Sequence, residues 1–91
     1  MAHRYFLTDE QRLVIDDLAL ESTTTRRTTE EAAEFVRAAL VHIPAPWAKT
    51  QARSADLTRR VADALRRQVA AGRVRQAAKS GRQMTWERAW Q

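Results

Sequence analysis

Apolar and polar positions along the chain follow a helical spacing first and change to alternation near the C-terminal end. The first helical stretch opens at Thr8-Asp-Glu-Gln11, the spacing of a capping box with acidic side chains where the helix dipole favours them. Leu13, Val14 and Leu18, with Ile15 beside them, form an apolar stripe that runs to about Leu20. Glu21-Ser-Thr-Thr-Thr-Arg-Arg27 breaks the stripe, and its run of β-branched threonines favours a short edge strand around residues 23–26. Thr28-Thr-Glu-Glu31 is a second capping box. The helix it opens puts Ala32, Phe35, Val36, Ala39, Leu40 and Ile43 on one face. Pro44 and Pro46 end it, because proline donates no helical hydrogen bond and pushes the residue before it into extended geometry. Residues 47–54 read either as a loop or as a short helix with Pro46 in its first turn.

The next helix is expected from near residue 55 to residue 71. At 100° per residue, Leu57, Val61, Ala64, Leu65 and Gln68 share one face, with Val69 at its edge. Arg59, Asp63, Arg66 and Arg67 lie opposite, and Asp63 stands four residues from both Arg59 and Arg67, the spacing of exposed ion pairs. Gly72 suits the left-handed residue that closes a helix. Beyond it the period becomes two, and Lys79-Ser-Gly81 fits a three-residue hairpin loop. That register pairs Val74 with Trp86, Gln76 with Met84 and Ala78 with Arg82. It turns Val74, Met84 and Trp86 toward the helices, and Arg73, Arg75, Lys79, Gln83 and Thr85 outward. A two-residue Ser-Gly loop would put Val74 and Trp86 on opposite faces, so it is rejected.

Ninety-one residues suffice for one domain with one modest core, here with an ordered part from about residue 8 to residue 90. The absence of cysteine excludes disulfides and thiolate metal sites. No apolar run approaches the roughly 18 residues of a membrane span, and the first residues lack a signal-peptide core, so the expected address is cytoplasmic. Charge changes the picture most. Residues 1–43 hold five arginines against eight carboxylates, a net −3, whereas residues 44–91 hold eleven basic against three acidic side chains, a net +8. Such a footprint suits phosphate binding. His3 and His42 lack cysteine partners, so no metal site is expected. Two glycines cannot build a phosphate loop, and the carboxylates gather in helix first turns. An enzyme or a small-molecule cofactor is not expected.

A basic amphipathic helix, a glycine stop and a cationic hairpin, in the order helix, short strand, helix, helix, hairpin, resemble the winged helix-turn-helix superfamily of DNA-binding domains over roughly residues 9–90. The segment that carries the resemblance is Val61-Ala-Asp-Ala-Leu-Arg-Arg-Gln-Val-Ala-Ala-Gly-Arg-Val74. It looks like the end of a recognition helix running into the first wing strand. The resemblance implies a mainly α fold with a small β-hairpin wing, a three-helix winged helix-turn-helix with room for a short extra strand or helix. About a dozen residues separate Ile43 from Ala55, where the family has a tight turn. Either the turn carries an insertion, or residues 28–43 form the first helix of the motif and residues 47–53 the second.

By the same resemblance Ser54, Ala55, Thr58, Arg59 and Ala62 face base edges or phosphates, and Lys79, Ser80 and Arg82 form the wing tip. With the neighbouring cations Arg53, Arg60, Arg66, Arg67 and Arg75 they make up the expected DNA-binding set. The implied partner is double-stranded DNA, for a transcriptional regulator or a phage or mobile-element regulator. A homodimer through apolar surface near Trp47 or Trp90 would double the site. The rival readings are a protein–protein interaction module with a basic surface and an RNA- or single-strand-binding accessory protein.

Overall fold

Helix α4 (Leu57–Ala70) buries the face that the helical period picks out: Leu57, Val61, Ala64, Leu65 and Gln68. The structure, a computed structural model, describes residues 7–80 and 83–89, with the backbone alone at 78–80. The chain runs α1 (Asp9–Ser22), β1 (Arg27–Thr28), α2 (Thr29–Val41), α3 (Pro46–Ala52), α4, β2 (Val74–Ser80) and β3 (Gln83–Arg88). Mainly helical architecture with a small antiparallel sheet is therefore the fold class, with four helices among the described residues, three long ones and a short one of seven residues. α1 and α2 pack on α4 and on each other, and α3 packs on α2.

Both capping boxes form. Thr8 Oγ1 accepts the Gln11 N–H, and the Gln11 side chain accepts the Thr8 N–H, each at 3.1 Å. Thr28 and Glu31 repeat the exchange at the start of α2. The apolar stripe of α1, however, is rotated from its expected place. Its buried row is Ile15, Ala19 and Ser22, while Leu13 is 60% exposed. α1 fits between α2 and α4, and the small Ala19 permits the close approach that a larger side chain would block. Ser22 can be buried because its hydroxyl donates to the Ala19 carbonyl at 2.6 Å.

The strand expected at residues 23–26 is displaced to Arg27–Thr28. Thr23 and Thr24 instead turn their hydroxyls back onto the carbonyls of Leu20 and Glu21, at 2.6 and 2.9 Å. These bonds satisfy acceptors that the end of α1 leaves open. The ambiguous segment after Pro44 forms α3, with Pro46 at its first turn. α4 begins at Leu57, two residues later than expected, because Asp56 occupies the position before its first turn. The expected pairs from Asp63 to Arg59 and Arg67 do not form. Asp63 pairs with Arg66, Arg59 with Asp56, and Arg67 crosses to Asp16 on α1. Burial of Asp16 to 14% exposure explains that choice: a half-enclosed carboxylate gains more from a two-pronged guanidinium than an exposed one does.

The sheet has the order β1-β3-β2, antiparallel throughout. Its register differs from the expected one by two residues: Val74 pairs with Arg88, Gln76 with Trp86 and Ala77 with Thr85. Toward the tip Ser80 pairs with Gln83, so the backbone of Lys79 and Ser80 belongs to β2 and not to a loop. An irregularity between Ala77 and Ser80 places three steps of β2 against two of β3, which is the count of a β-bulge. The bulge is why a shorter connection still leaves Val74 and Trp86 on one face. Both are buried at 2% exposure, and Met84 packs partly against the same core. Thr85, expected to face outward, is buried because β3 is the central strand, with Thr28 and Ala77 flanking it. Arg82, Trp90 and the expected Ala78–Arg82 pairing lie outside the described residues or side chains.

Trp86 joins the layers. Its indole Nε1 donates to Thr29 Oγ1 at 2.8 Å, fixing the sheet to the first turn of α2. Gly72, at φ 78°, lets the chain leave α4 and start β2. Trp86→Ala is expected to lower unfolding free energy by about 3–5 kcal/mol, and Trp86→Phe by less because the ring volume is largely kept. Gly72→Ala meets no neighbouring atom and is expected to cost about 1–2 kcal/mol from the left-handed backbone alone. Urea denaturation followed by circular dichroism measures all three.

Candidate nucleic-acid interface

α4 has two opposed sides. Across the helix from Leu57, Val61, Ala64 and Leu65, the ridge of Arg59, Asp63, Arg66 and Ala70 faces solvent. Ala62 lies between the two arginines of this ridge and Ala70 beyond them, so neither adds bulk to it. Arg59 and Arg66 are well exposed, and each is held one turn away by a carboxylate, at 3.5 Å from Asp56 and 2.8 Å from Asp63. Arg53, at the C-cap of α3, is exposed and has no side-chain partner among the described residues.

The remaining α4 cations are bonded to other helices, Arg60 half-buried and Arg67 exposed. Arg67 makes a two-pronged bond to Asp16, with nitrogen–oxygen distances of 2.7 to 3.2 Å. Arg60 reaches α3, where it donates to Gln51 Oε1 at 2.6 Å and to Ser54 Oγ at 3.5 Å. Ser54 also accepts the Asp56 N–H at 3.1 Å, so its hydroxyl closes the α3–α4 corner. Thr58 opens onto a shallow groove shared with Glu30, Glu31, Glu34, Arg27 and Phe35, and the Arg27 guanidinium lies 5.2 Å from the Phe35 ring centre. Of the sequence-derived set, Arg53, Arg59 and Arg66 therefore face solvent, the latter two each with an exposed carboxylate partner, Arg60, Arg67 and Ser54 are bonded within the fold, and Thr58 has carboxylate neighbours.

On the outer face of the sheet, Glu87 on β3 lies between Arg75 on β2 and Arg26, the residue just before β1. Glu87 on β3 takes Arg26 at 2.9 Å from one side and Arg75 at 2.6 Å from the other. Arg75 thus belongs to a cross-strand cluster with a net charge of +1. Arg26, Glu87, Gln51 and Asp16 were not among the residues singled out from the sequence. Arg26 follows a threonine run with no local mark of its partner, and only the β1-β3-β2 order brings it beside Glu87. The tip residues Lys79 and Ser80 have no described side chains, and Arg82 lies outside the described residues.

No cluster of three or more metal-ligating side chains occurs among the described residues, and no helix among them is long and apolar enough to cross a membrane. Trp47 is half-buried, packing on the core and bordering a groove with Val14. Comparison with known proteins finds no match to this chain, whether among family models, curated proteins or solved structures.

The Arg26 guanidinium, and after it that of Arg75, hold the Glu87 carboxyl below its ordinary value of 4.5. A carboxylate depressed in the folded state stabilises the fold above its unfolded value. That contribution is lost as pH falls through the folded value, which lies below 4.5. Both arginines are exposed, so the effect is modest and salt weakens it. A carbon-detected NMR titration should find the Glu87 midpoint below 4.5. Arg26→Ala and Arg75→Ala should each raise it. An unshifted midpoint in the parent protein would mean that the cluster does not persist in solution.

Proposed function

We propose that the chain is a small double-stranded DNA-binding domain of winged helix-turn-helix type. In this reading the solvent ridge of α4 enters the major groove, and the β2–β3 hairpin lies on the flanking backbone or the minor groove. The observation that carries the reading is the two-sided character of α4: an apolar face packed into the core and an arginine-bearing ridge left to solvent, with the hairpin issuing directly from the helix through Gly72. The element order of helix, strand, helix, short helix, helix and hairpin is compatible with that layout.

The ion pairs on the ridge do not stand in the way. Exposed pairs one turn apart contribute at most about 1 kcal/mol, and a phosphate or a guanine edge offers more. Glu30, Glu31 and Glu34 disfavour phosphate beside Thr58, so the reading rests on Arg53, Arg59 and Arg66 rather than on Thr58. Their arrangement fits a domain that reads few base pairs and takes much of its affinity from backbone charge.

Fluorescence anisotropy on random duplex, single-stranded DNA and RNA of equal length, across a salt series, should show duplex preferred with a steep salt slope. On a site selected from a random pool, Arg59→Ala should cost about 1–3 kcal/mol, and much less on random duplex. Lys79→Ala with Arg82→Ala should weaken both duplexes alike and flatten the slope by up to roughly two units. If every variant binds like the parent, groove entry is wrong and the protein-interaction reading leads.

A further inference from the structure

The corner between α3 and α4 contains a polar contact that solubility does not explain. Gln51 is 1% exposed and lies in a seven-residue helix whose other buried residues are alanines. Its Oε1 receives the Arg60 guanidinium at 2.6 Å, and its Nε2 has no hydrogen-bond partner among the described residues. Arginine only donates, so the amide must present its oxygen to Arg60, and the amide nitrogen is then left facing the interior. A buried donor without a partner is costly, and an apolar residue of the same size would avoid that cost. The contact it secures spans nine positions and joins α3 to the first turn of α4. Ser54 adds to it by accepting from both Arg60 and the Asp56 backbone.

We infer that Arg60 is a positioning residue: through Gln51 and Ser54 it fixes the start of α4 on α3, and so sets where Arg59 and Arg66 are presented to the duplex. The inference rests on the DNA-binding reading and deepens it by dividing the α4 arginines into two groups. Arg60 and Arg67 are struts, one to α3 and one to α1, whereas Arg59 and Arg66 face the ligand. Gln51 makes the division testable, because a side chain this buried cannot touch a duplex itself. Any effect of changing it on binding must travel through the corner.

Gln51→Met and Arg60→Met keep side-chain bulk and remove the bond. Each is expected to weaken binding to the selected duplex by roughly tenfold, the order of one hydrogen bond to a charged group. The double variant should be no weaker than Arg60→Met, which already removes the Gln51 contact together with that to Ser54. Neither should change the salt slope, whereas losing a phosphate contact would reduce it by about one unit. Gln51→Glu keeps the acceptor and removes the unpaired donor, and it should bind like the parent. Amide exchange at residues 51–57 should quicken in both methionine variants whether or not duplex is present.

A lowered slope in Arg60→Met with parental binding in Gln51→Met would make Arg60 a direct phosphate contact and overturn the inference. So would additive losses in the double variant, or unchanged exchange at the corner. A parent protein that binds no duplex would remove the DNA-binding reading itself. The presentation of Arg59 and Arg66 to DNA would fall with it, and exchange data alone would then decide whether the strut exists.

Discussion

The seating of the apolar face of α4 is the constraint from which the rest follows. Leu57, Val61 and Leu65 are fully buried, and Ala64 among them lets neighbouring elements approach closely. At about 1.5–3 kcal/mol for each large side chain removed from water, this row supplies a main share of the stability of so small a core. The polar contacts then add direction to it. Gln68 Nε2 donates to the Asp16 carbonyl at 2.9 Å and Arg67 grips the Asp16 carboxylate, fixing α4 along α1. Arg60 fixes its other end on α3. Apolar burial alone would permit sliding and rotation, and a helix tied at both ends by directional bonds has one seat.

What was legible in the sequence follows from the range of the forces involved. The buried face of α4, both capping boxes and the Gly72 stop were readable because each is set within one or two helical turns. α1 was misread at Leu13 because its sequence offers two overlapping apolar rows. Only the neighbours α2 and α4 select the Ile15–Ala19 row. The hairpin shows the same limit in another form. Parity put Val74 and Trp86 together correctly, since one face must bury, but parity is blind to a shift of two residues combined with a bulge. As for the candidate site, helical spacing placed Arg59 and Arg66 outward. Nothing local revealed that Arg67 would cross to Asp16, Arg60 to Gln51, or Arg26 to Glu87.

That division changes how the basic composition should be weighed. The second half of the sequence carries a net +8, yet a good part of its positive charge is committed to internal contacts. Arg88 donates to the Leu20 carbonyl at the end of α1 at 3.1 Å, and Lys49 to the Ile43 carbonyl in the α2–α3 connection at 3.2 Å. A salt-dependence argument that counted every arginine would overstate the number of phosphates neutralised, because an internally bonded guanidinium releases no counterion when a duplex arrives. Among the described residues of this half, the charge not tied to a mostly buried group lies on the α4 ridge and at Arg53, since Arg75 shares with Arg26 the Glu87 carboxylate, whose side chain is 16% exposed.

An arginine can serve in both ways only where its internal bond is weak. Arg59 and Arg66 are tied to exposed carboxylates one turn away, pairs that solvent already screens. Exchanging such a partner for a phosphate costs little and leaves the backbone unchanged. Arg60 and Arg67 hold groups that are mostly or wholly buried, Gln51 and Asp16, and letting go would strand an acceptor away from water. The burial of the partner, more than the exposure of the arginine, therefore separates the cations that can leave the fold for a ligand from those that hold the fold in place.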